Sequence, residues 1–315
     1  MENTSNVKET KVITQQEIEH YFKDDISNLV SEKLKNYNFM YQEVNNDERD
    51  HIIRAIVNDL MSNNLVRAGE HRQEKWESGW DENLKMLSST GNIKSIIPMY
   101  FGKYGVVRLG QRFIKTQSDD FEYKMLKLIL DWLFYKYFRD AAHIYEFGCG
   151  TGHNLIHLRE YNKKAVLWGL DWTKSSQEII KNSAINLDDA KLYGYNFDYF
   201  NPDYKFKLDK DGILFTVASL EQIGNKFHKF VDFVLQNKPG LCIHVEPIAE
   251  LLDENNLLDF LSIEYFKRRN YLDGFLTYLR ELEKRGEAKI LQAQRTYIGS
   301  LYIEGYSVIV WTPTK

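Results

Sequence analysis

Gly148, Gly150 and Gly152 occupy alternate positions in the stretch Glu146-Phe147-Gly148-Cys149-Gly150-Thr151-Gly152, with an apolar run at residues 144–147 before it. Glycine lets the chain turn sharply after a strand and lets a ligand approach amides that a Cβ would shield, so the stretch is a candidate nucleotide-cofactor loop opening a helix near His153. A dinucleotide loop has the spacing Gly-x-Gly-x-x-Gly and holds a pyrophosphate at the helix N-terminus. Here the pattern is acid-x-Gly-x-Gly-x-Gly, with Glu146 two residues before the first glycine. Asp171 closes the next apolar run, residues 165–170. A carboxylate there can accept both hydroxyls of a ribose, or simply cap the following helix. His244 and Glu246 stand two apart in a later strand and share one of its faces. They suit a base that removes a proton from an acceptor, or equally a buried structural pair.

Composition narrows the classes. The 315 residues are 43% hydrophobic, enough for one large core or two modest ones, and the formal net charge of −4 argues against a general nucleic-acid surface. No signal-like segment opens the chain and no long apolar run spans a membrane, so a cytoplasmic protein is expected. The two cysteines, Cys149 and Cys242, fit buried thiols rather than a disulfide framework or a zinc site.

The elements that must position these residues follow from periodicity. Thr14 and Glu17 form a capping box ahead of apolar positions at helical spacing, predicting one helix to about Lys35; a second opens at Asp47 with Gly69 as its stop. Residues 70–115 form an aromatic, glycine-spaced connector, and residues 119–139 a long amphipathic helix. From there strands and helices alternate, the pattern of a doubly wound, mostly parallel sheet. The strands are expected at residues 144–147, 165–170, 192–197, 213–218 and 241–245, followed by an antiparallel hairpin of residues 289–296 and 307–311.

The glycine loop with its acid, the strand-end Asp171 and the terminal hairpin together resemble the class I S-adenosylmethionine-dependent methyltransferases. That resemblance covers roughly residues 141–315 and implies a seven-stranded α/β sheet of order 3-2-1-4-5-7-6. It divides the chain into an N-terminal helical cap at residues 1–140, shaping the substrate pocket, and a Rossmann-like core at residues 141–315. It also implies roles: Glu146 beside the methionine amine, Gly148, Gly150 and Gly152 beneath the cofactor, and Asp171 on the ribose. Trp172 would pack on the adenine face or in the core. Asp198 would receive the adenine amine, against an ordinary turn aspartate. Ser219 follows the fourth strand, which runs beside the sulfonium in this fold. The cofactor expected is S-adenosyl-L-methionine and the partner a small-molecule acceptor methylated on oxygen or nitrogen. A diffuse similarity to bacterial surface-glycan and natural-product methyltransferases favours a sugar or sugar-linked acceptor.

The rivals are a protein or RNA methyltransferase and an NAD(P)-dependent oxidoreductase, with homo-oligomerisation left open. The Asn-Pro-Pro-Tyr-like motif of adenine and cytosine methylases is missing after strand four. His153 and His157, four apart, lack a third metal ligand and are expected on a solvated helix face. Arg72, Trp76, Trp80, Tyr100 and Arg108 in the connector, and Arg295, Tyr297 and Tyr302 near the hairpin, are candidates for the acceptor pocket.

Overall fold

The computed structural model describes residues 9–314. In chain order the N-terminal half runs β1 (Thr10–Val12), α1 (Gln15–Phe22), α2 (Asn28–Tyr37), β2 (Met40–Glu43), α3 (Asn46–Met61), α4 (Gln73–Thr90), β3 (Val106–Leu109), β4 (Arg112–Thr116) and α5 (Phe121–Leu133). The rest is β5 (His143–Phe147), α6 (His153–Leu158), β6 (Val166–Asp171), α7 (Lys174–Asn186), β7 (Leu192–Asn196), β8 (Ile213–Val217), α8 (His228–Asn237) and β9 (Leu241–Glu246), then α9 (Leu257–Arg269), α10 (Phe275–Lys284), β10 (Ala288–Gln294), β11 (Ile298–Gly299) and β12 (Ser307–Pro313).

The core is a mixed sheet of seven strands with the order β10-β12-β9-β8-β5-β6-β7. Strands β7, β6, β5, β8 and β9 are mutually parallel, while β12 pairs antiparallel with both β9 and β10. Numbered along the core alone, this reads 3-2-1-4-5-7-6. Alternation splits the strands between two apolar layers. Ile144, Ile243, Val308 and Val310 face α5 and the N-terminal half, whereas Tyr145, Cys242, Ile309 and Trp311 face α8 and α10. The order reverses beside β5, so the loop after β5 opens into the crevice between the ends of β6 and β8.

The N-terminal region is not a helical cap. Its helices lie with a second, antiparallel sheet, β1-β2-β4-β3-β11, whose last strand comes from residues 298–299 near the other end of the chain. These strands have two to five residues, too short to register as alternation. Gly110 and Gln111 both have φ near +60°, the backbone of a two-residue hairpin turn joining β3 to β4. The expected first helix is also two, because Lys23 turns left-handed at φ 50° and the Ser27 side chain caps a new start by accepting from Val30 N. The third ends at Met61, before Gly69, and the connector contains α4.

One buried ionic network ties the small sheet to the core. Arg295 donates to both Asp259 carboxylate oxygens at 2.6 and 2.7 Å and to both Glu304 oxygens at 2.8 and 2.6 Å. Arg108 on β3 joins it, donating to the Leu258 and Leu301 carbonyls and to Ser262 Oγ. Arg108, Arg295 and Tyr302, whose hydroxyl donates to Asp59, thus hold elements together and do not line the cavity described next.

Candidate active site

The glycine loop is rigidly seated. Gly148, Gly150 and Gly152 have φ of 66°, 52° and 72°, a region where side chains are strained. Gly148 and Cys149 donate their N–H groups to Leu170 O, and Gly150 donates to Asp171 Oδ2 at 3.0 Å. The rings of Trp76 and Trp80 stack at 5.4 Å, and Trp80 lies against Gly150, where an added Cβ would come 2.8 Å from the indole. Both tryptophans sit on α4, which is fixed to the core because Glu77 accepts from the backbone N–H groups of Lys174 and Ser175 at the start of α7.

A cavity opens above the loop. Its walls include Trp76, Trp80 and Tyr100 from the N-terminal half, the loop itself, and His153, Asn154, Asp171 and Trp172. The ends of the later strands add Phe197, Tyr199, Phe200, Ser219 and Gln222. Among the described residues, no lysine or arginine lines it. Glu146 is buried beneath it, its Oε1 accepting from Asn154 Nδ2 at 2.7 Å and its Oε2 without a partner. Burial, with Asp171 adding to it, pushes the Glu146 carboxyl up to about 8. Three further buried polar atoms of this region lack partners: Trp76 Nε1, His153 Nε2 and Gln222 Oε1. Unsatisfied buried polar atoms are rare, and several converging on one cavity mark a place for a polar ligand.

Asp171 and Trp172 line the cavity, but the Asp171 carboxylate is already employed. Its Oδ1 accepts from Thr173 N and Oγ1 at 3.0 and 2.8 Å, and its Oδ2 from Gly150 N. A carboxylate has about four acceptor positions. One remains, so in this arrangement Asp171 can take one ribose hydroxyl and not two. Ser219 also lines the cavity, its Oγ donating to Phe147 O at 3.0 Å and lying 3.0 Å from Tyr199 Oη. Just before it, Ala218 is held at φ 46°, a strained conformation that re-aims the chain after β8.

Three expectations are overturned by geometry. Asp198 does not line the cavity; its oxygens accept from Phe200 N and Asn201 Nδ2, which makes it a turn aspartate. His244 is fully buried, with Nδ1 at 2.9 Å from Thr216 Oγ1 and Nε2 accepting from Trp311 Nε1 at 2.9 Å. Burial pushes it down to about 3, and neither nitrogen reaches the cavity, so it cannot serve as a base there. Glu246 accepts from the backbone N–H groups of Ser219, Leu220 and Glu221. Although burial lifts it to about 7, it positions the loop after β8 and does not meet a ligand. Replacing His244 by alanine should therefore lower unfolding free energy by about 2–4 kcal/mol, through the lost packing and the stranded Trp311 N–H. Ligand affinity of the folded protein, measured well below its melting temperature, should stay within about three-fold of wild type; selective loss of binding at unchanged stability would restore a role at the site.

His153 and His157 likewise depart from expectation, being buried rather than on a solvated face. His157 Nε2 lies 2.6 Å from Asp131 Oδ1, whereas His153 lines the cavity with its Nδ1 3.1 Å from Thr151 Oγ1. Burial holds the His153 imidazole neutral, down to about 3. Tyr199, Phe200, Asn154 and Gln222 were missed by sequence reasoning. Adjacency to the expected strand-end and loop residues was their only signal.

No protein-family model matches the chain, and no curated protein matches it. Among solved structures it is similar to an O-methyltransferase from neocarzinostatin biosynthesis, in complex with S-adenosylmethionine and 2-hydroxy-5-methyl naphthoic acid. The identity is 14%, over 76% of this chain and 70% of that one, with a TM-score of 0.44. It is similar to the magnesium protoporphyrin IX methyltransferase of Synechocystis PCC 6803 with bound S-adenosylhomocysteine, at 11% identity over 61% and 83% of the chains and a TM-score of 0.45. It is also similar to the small RNA methyltransferase HEN1, at 16% identity over 64% of this chain but 28% of that one, with a TM-score of 0.45. Likeness at this level leaves the chemistry to be argued from the site's own groups.

Proposed function

We propose that the protein is an S-adenosylmethionine-dependent methyltransferase acting on oxygen or nitrogen of a small molecule, with residues 141–315 holding the cofactor and residues 1–140 shaping the acceptor side. One observation carries this reading: a buried carboxylate with a free oxygen, Glu146, lies beneath a glycine loop at the switch in strand order. Burial raises this carboxyl, and a bound ammonium or sulfonium would favour its ionised form, whereas a pyrophosphate would oppose it. The bound cofactor supplies an electrophilic methyl group.

Glu146 and Asn154 would hold the ammonium, and the unpartnered Trp76 N–H would donate to the carboxylate. Asp171 would take a ribose hydroxyl while bracing the loop. The slot of Trp172, Phe197 and Phe200 suits the adenine face. Ser219 and Tyr199 flank the place between cofactor and acceptor. The sheet order and its terminal antiparallel hairpin agree with the class I pattern, and the aromatic walls are compatible with the ring of a sugar-linked acceptor.

Calorimetric titration with S-adenosylhomocysteine tests the reading. Wild type should bind it and not NADH, and Glu146→Gln, which keeps shape but removes charge, should bind at least about ten-fold more weakly. A wild type that ignores S-adenosylhomocysteine ends the proposal.

A further inference from the structure

The cavity shares Phe200 and Ile223 with a second groove of about 650 Å³, whose walls also include Arg67, Glu70, His71 and Lys226. Three segments distant in sequence lock together to form it. Ala68 donates its N–H to Arg269 O at 2.7 Å, and its carbonyl accepts from Asn270 Nδ2 at 3.1 Å. Asn270 Oδ1 accepts in turn from Arg67 Nη2 at 3.3 Å, which holds the guanidinium at the groove wall. Gly224, at φ 61°, is pressed against the same asparagine: an added Cβ would come 2.9 Å from Asn270 Nδ2, so the residues leading to Lys226 are held as well.

The cations of this frame are largely unpartnered. Arg67 uses one of its five guanidinium donors. Lys226 Nζ stands 5.7 Å from the Phe200 ring centroid and has neither a hydrogen bond nor a salt bridge among the described residues. Glu70, the acid on the wall, pairs with neither. In the adjoining recess Lys229 donates to Phe200 O at 2.9 Å and to Asn201 Oδ1 at 3.3 Å, again neutral partners. Lysine and arginine thus line the groove and, among the described residues, not the cavity beside it, on a chain whose net charge is −4.

A guanidinium fork and an ammonium on one groove suit a phosphoryl group, whose oxygens accept several charge-assisted hydrogen bonds at once. Resting on the methyl-transfer reading above, we propose that the groove binds a phosphoryl group carried by the acceptor, whose apolar body crosses at Ile223 toward Ser219. Charge then orients both ligands: the cofactor's ammonium goes to Glu146 and the acceptor's anion to Arg67 and Lys226. The phosphoryl group stays outside the chemistry and serves to hold the nucleophile in place. A free inorganic anion would meet the same two cations but gain nothing from the apolar junction, so the two sources differ in what that junction adds.

Calorimetric titration of the full chain with phenyl phosphate, inorganic phosphate and phenol, with and without saturating S-adenosylhomocysteine, tests this. Phenyl phosphate should bind one site per chain, at least about ten-fold more tightly than either phosphate or phenol. Arg67→Gln and Lys226→Gln should each weaken it at least about five-fold. Both side chains are exposed, so melting temperatures should stay at the wild-type value and mark the loss as local. Phosphate binding as tightly as phenyl phosphate would make the groove a free-anion site and overturn the acceptor assignment. Equal binding of phenol, no binding of phenyl phosphate at millimolar concentration, or an affinity unchanged in either variant would overturn the phosphoryl site itself. Failure of S-adenosylhomocysteine to bind wild type would instead remove the methyl-transfer reading, and because the groove is also titrated without it, the two failures are distinguishable.

Discussion

Gly148→Ala should weaken S-adenosylhomocysteine binding by at least about 100-fold, equivalent to nearly 3 kcal/mol. Two effects add. The residue sits at φ 66°, where a Cβ costs roughly 1–2 kcal/mol. That Cβ would also lie 2.4 Å from Ser219 Cβ, 2.6 Å from its Oγ and 3.0 Å from Tyr199 Oη. No heavy atoms tolerate such approach, so the loop or the Ser219 segment must shift, and both border the cavity. Gly286→Ala is the matched control. It has φ 74° and nothing within 4 Å of an added Cβ, and it lies between α10 and β10, away from the cavity. It should lose stability of roughly 1 kcal/mol from the backbone alone while binding normally. Calorimetry and thermal melting on both variants separate clash from strain. Undiminished binding by Gly148→Ala would show that the loop does not carry the cofactor.

Arg295→Met should cost about 3–5 kcal/mol of stability, the range for removing one partner of a buried ionic group. Methionine preserves much of the volume but strips Asp259 and Glu304, both buried, of the cation that pairs with them, leaving Asp259 only the neutral donors Asp253 N and Gln111 Nε2. Burial already pushes Arg108 down to about 10, and its Nη2 lacks a partner, so it is poorly placed to compensate both acids. Because Arg295 follows β10, Asp259 is on α9 and Arg108 is on β3, the loss should appear as looser attachment of the small sheet to the core. Urea unfolding gives the energy, and hydrogen exchange at β3 and β11 gives the place. A loss below about 1 kcal/mol, the scale of an exposed pair, would show that the network is not a structural tie.

Much of the core was legible because it rests on local patterns. Apolar runs ending at Phe147, Asp171 and Glu246 mark parallel strands, Thr14 with Glu17 marks a helix start, and the glycine spacing marks the turn after β5. The small sheet was not legible, since β1 and β11 have three and two residues and find their partners across the chain. Residue type likewise misled at His244 and Glu246. A histidine and a glutamate on one strand face suggest a base, but whether a nitrogen is free depends on Thr216 and Trp311, contributed by neighbouring strands.

The sequence alone therefore determined the alternating core, the glycine loop with its acid, and the presence of Asp171, Trp172 and Ser219 at strand ends, because each follows from spacing within a few residues. Only the tertiary structure decided which side chains are free to meet a ligand. Burial and hydrogen-bond saturation are set by distant partners: they occupy both nitrogens of His244, three positions of Asp171 and the backbone cap of Glu246, and they leave Glu146 Oε2, His153 Nε2 and Gln222 Oε1 unpaired.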